Sequence, residues 1–494
     1  MEAGQLGQGF TRCLRARCFA RVRIQHPRSE LIPENCSSKL NFRCSSSMEV
    51  TVQLKSDRDR VHVAILTYLL VFFAMSLSVW IWFVTHRHGP HHFPLGEPIE
   101  RFGDLLHFSG KYQVGKDPRM LDPGHLSGTL FPANYPPFAV ILYLFLLQVC
   151  APYALPVMLV AFLGSVTIAC TLVWRRVRKL ESYRWYVGVA VFATGLFGWG
   201  TEEVVMRGNI EGIMWIGVCL GAALYARRKY QSAAVAFGVA ACIKPHPALW
   251  LAFMVRHRRY REAAVGVVTA VAVTLGSLLM IDRNPVRAYR HISAKSHFFY
   301  DYVLAFRNMD EMKLDHSLME SMKTISRVIR NHGFHFGRAE DLGYYNNHLA
   351  WKLYAGCLLI SAIISLVSLW QVWNKPVLNQ IFAIGCVTTV LPMVTGDYTL
   401  TILLIPMGFF LIFLVEDVAE GKVSMSLGGM LWFLLPAAWI MAAEPYVILH
   451  GVLKCFAILL LLGAGIFIPL PSTIFGELDK VEKGKLSVTT SIGT

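Results

Sequence analysis

Residues 232–255 read SAAVAFGVAACIKPHPALWLAFMV. The run is long and apolar enough to cross a bilayer as a helix, which takes about 20 residues. Its flanks argue against a simple crossing. RRK (227–229) precedes it and RHRRYR (256–261) follows it. Short Lys/Arg-rich loops stay on the cytoplasmic side of a membrane, and a straight span would carry one of them outside. Pro245 and Pro247 interrupt the run, and Lys244 sits in its middle. A re-entrant or broken helical hairpin with KPHP at its tip satisfies the charges and the prolines together. Such helices are tolerated at membrane depth only where protein buries them or a cavity takes them. An ionisable residue inside an apolar run marks a functional site by default, so Lys244 is a candidate.

The rest of the chain has the same character. Of its 494 residues, 54% are hydrophobic and only 16% are charged; mean hydropathy is +0.46. Soluble chains carry about a quarter charged residues. Repeated apolar runs therefore predict a polytopic, all-α membrane helix bundle, because lipid leaves few other ways to satisfy backbone N–H and C=O groups. No cleavable signal peptide is evident. The net charge of +15 suggests nucleic acid at first sight. Its placement, in RRVRK (175–179), RRK and RHRRYR between apolar runs, fits topology determinants instead. No nucleic-acid partner is expected.

With a cytoplasmic N-terminus, HVAILTYLLVFFAMSLSVWIWFV (62–84) runs outward, and 85–135 lies outside with five Lys/Arg against five Asp/Glu. PPFAVILYLFLLQVC (136–150) is short. A full crossing there would deliver RRVRK to the outside, so it reads as a partial or surface-lying helix. Further crossings are expected at 155–174, 185–201, 209–226, 263–281, 350–373, 376–395, 399–415, 424–441 and 446–470. The total is about ten full spans plus two partial or re-entrant helices. Two large extracytoplasmic loops, 85–135 and 282–349, remain. Within the second, Leu314, Leu318, Met322, Ile325 and Ile329 have helical spacing and suggest an interfacial helix. The domains expected are a cytoplasmic N-terminal segment 1–60, a membrane domain 61–470 and a cytoplasmic tail 471–494. Residues 1–47 are basic and patternless, and the functional chain is expected to start near Met48.

This topology gathers scattered polar residues at the outer interface: Asp104, Tyr135, Glu202, Glu203, Asn209, Glu211, His316, Ser317, Asp397 and Tyr398. Asp104 lies in RFGDLLHFSGKY (101–112), where Phe102, Leu105 and Leu106 give a short helix one greasy side. Interfacial acids and tyrosines are common where helix ends meet water, so most of these positions also have a plain explanation. HRHGPHH (86–92) lacks the i, i+4 geometry of a helical metal site. No Walker loop, GxGxxG before a helix or Gly-x-Ser-x-Gly occurs. No metal and no cofactor is expected. The seven cysteines beyond residue 50 lie mostly inside apolar runs and read as small buried hydrophobes.

Taken in order, FGDLLHFSGKY, NYPPF, RGNIEGIMWIGVCLGAAL, GVAACIKPHPALWLAFMVRHRRY, DHSLMESMKTISRV and LPMVTGDYTLTILLIPM resemble the motifs of integral-membrane glycosyltransferases of the GT-C fold, and more finely those of glycosyltransferase family 87. The resemblance covers about residues 60–470; GNIEG departs from the family's Gly-Gln-x-Asn pattern. It implies sugar transfer, most simply of mannose, from a polyprenyl-phosphate donor to a lipid or glycan acceptor on the non-cytoplasmic face. The implied location is a multi-pass protein of a bacterial inner (plasma) membrane, with both termini cytoplasmic. Asp104 is then expected as general base. His316 and Lys244 are expected to bind the donor phosphate. Tyr135, Glu202, Glu203, Asn209, Ser317, Asp397 and Tyr398 are expected to line the substrate cavity. A secondary transporter or polyprenyl-lipid flippase would also use a broken helix with a buried Lys. Long outer loops and the lack of an inverted repeat favour the enzyme.

Overall fold

A computed structural model describes residues 39–43, 49–53, 56–86, 135–150, 153–178, 184–290, 292–293, 316–318, 321–322, 325, 347–392, 396–442 and 450–476. Apart from one short hairpin, the regular structure among them is helical. The hairpin pairs β1 (Lys39–Arg43) with β2 (Glu49–Gln53) in antiparallel register, Lys39 opposite Gln53. It lies ahead of the helical bundle, which is all-α as expected, and its first strand falls in the segment 1–47 that reads as patternless. KLNFR and EVTVQ each alternate apolar and polar residues, the period of a strand.

The helices are α1 (Asp57–His86), α2 (Pro137–Val149), α3 (Ala154–Val177), α4 (Arg184–Phe197), α5 (Trp199–Arg207), α6 (Glu211–Ala226), α7 (Tyr230–Ile243), α8 (Leu249–Arg256) and α9 (Tyr260–Ile281). After the second long loop come α10 (Asn347–Val372), α11 (Val377–Val390), α12 (Leu404–Phe413), α13 (Leu427–Met441) and α14 (His450–Phe467). Four stretches are long and apolar enough to cross a membrane: Asp57–Val79, Ala154–Val177, Tyr260–Ile281 and Asp397–Val418. Shorter apolar helices accompany them.

Two ends of the bundle can be told apart by their contacts. At one, Arg58 Nε donates to Ala419 O, Arg176 holds Glu416 through both carboxylate oxygens, and Arg256 donates to Trp373 O. This end gathers the basic turns. At the other, Asp397, His316, Lys454 and Trp199 meet. The 24 residues of α3 cover about 36 Å, so Ala154 lies far from the basic end at Arg176. Tyr135, just before α2, stands beside Lys244, within reach of Tyr398. Both termini of α2 thus belong to the end opposite the arginines, as a helix that does not cross would require.

The run 230–256 is a broken hairpin. α7 rises to Ile243, Lys244 is extended (φ −142°, ψ 143°), a 3-10 turn covers His246–Ala248, and α8 returns to Arg256. Pro245 and Pro247 explain the break, since neither supplies an amide proton to a helix. α7 packs on both α6 and α9. A Cβ on Gly238 would drive into the Gly266 carbonyl, and one on Gly266 would lie 2.9 Å from Ala234 O. Small residues thus let the two backbones nearly touch, the usual way helices associate in lipid. Cys242 Sγ lies 3.2 Å from Ala270 O and 3.6 Å from Thr274 Oγ1. The hairpin tip therefore stops short of the end of α9 at Ile281.

Two expected spans are not single α-helices. The run 185–201 breaks at Gly198, which is extended, and α5 begins after it. The run 399–415 starts as a 3-10 helix, Asp397–Leu403, and ends as a π turn, Leu414–Val418. Thr399 and Thr401 hydroxyls donate to carbonyls three residues back, Gly396 and Tyr398, which favours the tighter winding. The stretch 397–418 is the most enclosed of the four apolar ones. The main core packs around it, with the Phe410 ring against Phe382, Phe413 and Phe433, and Phe382 against Phe433. A second core joins α2, α6, α7 and α8.

Candidate active site

The polar residues at the far end form two adjoining groups, joined by the backbone of Asp397 and Tyr398. The first is closed. Asp397 is 1% exposed and opens the 3-10 helix. Its Oδ1 lies 3.1 Å from His316 Nδ1. Its Oδ2 accepts from Lys454 Nζ at 3.2 Å and from Trp199 Nε1. His316 Nε2 lies 3.0 Å from Thr399 Oγ1. Lys454 also stands 5.4 Å from the centre of the Trp199 ring. Asp397 and Lys454 thus form an ion pair, as buried charges must.

α5 seats Trp199 in this group. It packs along the 3-10 helix because Gly200 has no side chain: a Cβ there would sit 2.9 Å from Thr401 N. The same helix carries Glu203, which is buried and accepts from Arg207 Nε at 2.9 Å. Glu202 is half-buried. Ser317 is buried next to His316.

The second group is partly open. Lys244, at the break of the hairpin, lies 3.5 Å from Glu211 Oε1; its side chain is 19% exposed, against 1% for Glu211. The ammonium faces Tyr135 and Tyr398 at 5.2 and 5.8 Å from the ring centres. Such contacts favour a cation when it is desolvated. Asn209 is buried, and its Oδ1 accepts from Glu211 N at 2.8 Å, shaping the start of α6. Tyr143 OH accepts from Ile210 N at 3.0 Å and holds α2 against the same turn. A cation that keeps access while standing below the end of α9 is suited to an anionic group carried on an apolar tail.

The structure thus brings together Tyr135, Glu211, Lys244 and Tyr398, and separately His316 and Asp397. Asp104 lies outside the described residues. The two phosphate candidates differ in access: both His316 nitrogens face protein groups, whereas Lys244 is partly open. Sequence reasoning passed over Trp199, Thr399 and Lys454. Lys454 carried a signal, since HGVLKCFAILLLL (450–462) places a lysine in an apolar run, as at Lys244. Trp199 and Thr399 carried none. Among the described residues, no cluster of His, Cys, Asp or Glu could hold a metal.

A family model described as glycosyltransferase family 87 matches residues 134–395, more than half of the chain. The match includes Tyr135, Glu202, Glu203, Asn209, Glu211, Lys244, His316 and Ser317; Asp104, Asp397, Tyr398 and Lys454 fall outside it. No curated protein and no solved structure matches the chain. The chain belongs to glycosyltransferase family 87 and is a membrane glycosyltransferase.

Proposed function

We propose that this glycosyltransferase takes its sugar, mannose in the simplest reading, from a polyprenyl phosphate and passes it to a lipid or glycan hydroxyl on the non-cytoplasmic face. The observation that carries the proposal is Lys244: a partly accessible cation, walled by Tyr135 and Tyr398, at the tip of a broken helix inside an apolar bundle. A donor with a phosphate on a long apolar tail fits that setting. The arginine-rich turns lie at the opposite end, and the positive-inside rule makes that end cytoplasmic.

In the reaction proposed, Asp104 takes the proton of the acceptor hydroxyl as its oxygen attacks the anomeric carbon. The bond from that carbon to the phosphate oxygen breaks, and its electron pair leaves with the polyprenyl phosphate. Inversion at the anomeric carbon follows. Lys244 lies against the charge that grows on the leaving phosphate, where a placed cation lowers the barrier most. Tyr135 and Tyr398 wall the site. His316 and Asp397, tied to Lys454 and Trp199, position Tyr398. Glu202, Glu203, Asn209 and Ser317 complete the surroundings.

The test is transfer by the purified protein in detergent, with polyprenyl-phosphate mannose, polyprenyl-phosphate arabinofuranose and a nucleotide-linked mannose as alternative donors and a crude glycolipid extract as acceptor. Transfer from polyprenyl-phosphate mannose alone is expected. Transfer from the nucleotide sugar would refute the donor class. Donor carried across vesicles with no transfer would favour the flippase.

A further inference from the structure

An apolar cavity of about 410 Å³ lies among α3, α4, α6 and α12. It exists because small residues face one another there: Ala222, Ala223 and Ala226 on α6, Ala169 on α3 and Gly408 on α12. Its volume is in the range of cavities that hold small ligands. Its rim includes Ile168, Leu172 and Leu220, which are 63, 39 and 52% exposed. Large apolar side chains exposed on helices of a membrane bundle face lipid, so the opening is lateral, toward the bilayer.

The lower rim is cationic. Arg176 and Arg227 both line the cavity. Arg176 is already held by Glu416, at 2.8 and 2.6 Å. Arg227 is exposed, and among the described residues it forms no ion pair. Arg175, Arg178, Arg228 and Lys229 are exposed on the same two helix ends. Clusters of this kind attract anionic headgroups, at about 1 kcal/mol, or fivefold, per basic residue near the surface.

We infer that this cavity is a binding site for an anionic phospholipid of the leaflet at the basic end. One acyl chain enters between α3 and α6, and the headgroup phosphate sits at Arg227. The site is distinct from that proposed for the donor, because the Arg227 end is opposite Lys244. Apolar contact alone would admit any lipid chain. Arg227, exposed at the mouth, selects the charge of the headgroup.

Trp215 forms part of the cavity wall, with its indole N–H donated to Thr401 O at 2.7 Å. It therefore reports occupancy. The full-length protein is reconstituted with dibrominated phosphatidylglycerol or dibrominated phosphatidylcholine, whose bromines quench tryptophan at contact. The Trp215 signal is the difference between wild type and Trp215→Phe. Quenching by both lipids is expected, with half-saturation at least about fivefold lower for phosphatidylglycerol. Arg227→Gln should weaken the preference for phosphatidylglycerol about fivefold, and Ala223→Phe should abolish Trp215 quenching by filling the cavity. Should Ala223→Phe fail to fold, the wild type and Arg227→Gln still decide. Absence of Trp215 quenching, equal half-saturation in wild type, or a preference undiminished by Arg227→Gln would overturn the inference.

Discussion

Lys454 Nζ lies 3.2 Å from Asp397 Oδ2, and neither side chain is exposed to solvent. The pair ties α14 to the start of the 3-10 helix, and His316 adds the second long loop to the same carboxylate. One buried ion pair therefore joins three distant parts of the chain beside Tyr398. We predict that Lys454→Met lowers stability by about 3–5 kcal/mol, because it leaves Asp397 buried without its cation. Asp397→Asn combined with Lys454→Met should recover much of the loss. Unfolding midpoints in mild detergent measure both. A single variant as stable as wild type would show that the pair is dispensable.

Gly238 should tolerate no side chain, since a Cβ would meet the Gly266 carbonyl. Gly238→Ala must push α7 off α9, at a cost of about 1–3 kcal/mol. Gly276, on the same helix α9, has open space around its missing Cβ. Gly276→Ala should be neutral or slightly stabilising. Parallel thermal melts separate the two, and equal melts would refute the close crossing.

His257 caps α8 in the turn before α9. Burial is the main cause that lowers its pKa to about 4; Arg256 and Arg259 push the same way, while its bond to Phe253 O opposes them. In the unfolded chain the ring regains a value near 6.5. Between these values the unfolded state binds a proton that the folded state refuses, so stability falls as pH drops from about 6.5 to about 4. We predict a smaller loss over this window in His257→Gln. Melting temperatures at stepped pH provide the check, and identical slopes in the two proteins would refute the prediction.

Lys244→Gln should cut kcat/KM for the donor by about a hundredfold, the scale of losing one charged contact to the transition state. Lys244→Arg should retain more, since it keeps the charge. Kinetics with varied donor test this. Unchanged kcat/KM in Lys244→Gln would remove Lys244 from the reaction.

Much of this arrangement was legible because charge and hydropathy are strong signals in membranes. The KPHP break and the sideways α2 both follow from where the basic turns must lie. Lys244 was conspicuous as a lone cation in an apolar run. Other features depend on tertiary contact. Nothing in WGTEEVV (199–205) tells that Trp199 donates to Asp397, because that bond spans 198 positions. The switch to 3-10 and π winding along 397–418 arises from threonine hydroxyls and core packing that hydropathy does not encode. Lys454 was readable in principle, yet its partner is set only when α14 meets the 3-10 helix. The turns at Arg228 and Arg258 place arginine at positive φ, 63° and 58°, where sequence rules look for glycine.

The most direct test of the account concerns Asp104. Purified Asp104→Asn would be compared with wild type for binding of polyprenyl-phosphate mannose and for its transfer. Unchanged donor affinity and a rate lower by about 10²–10⁴, the usual contribution of a general base, are expected. Transfer at the wild-type rate would contradict the role of Asp104 as general base.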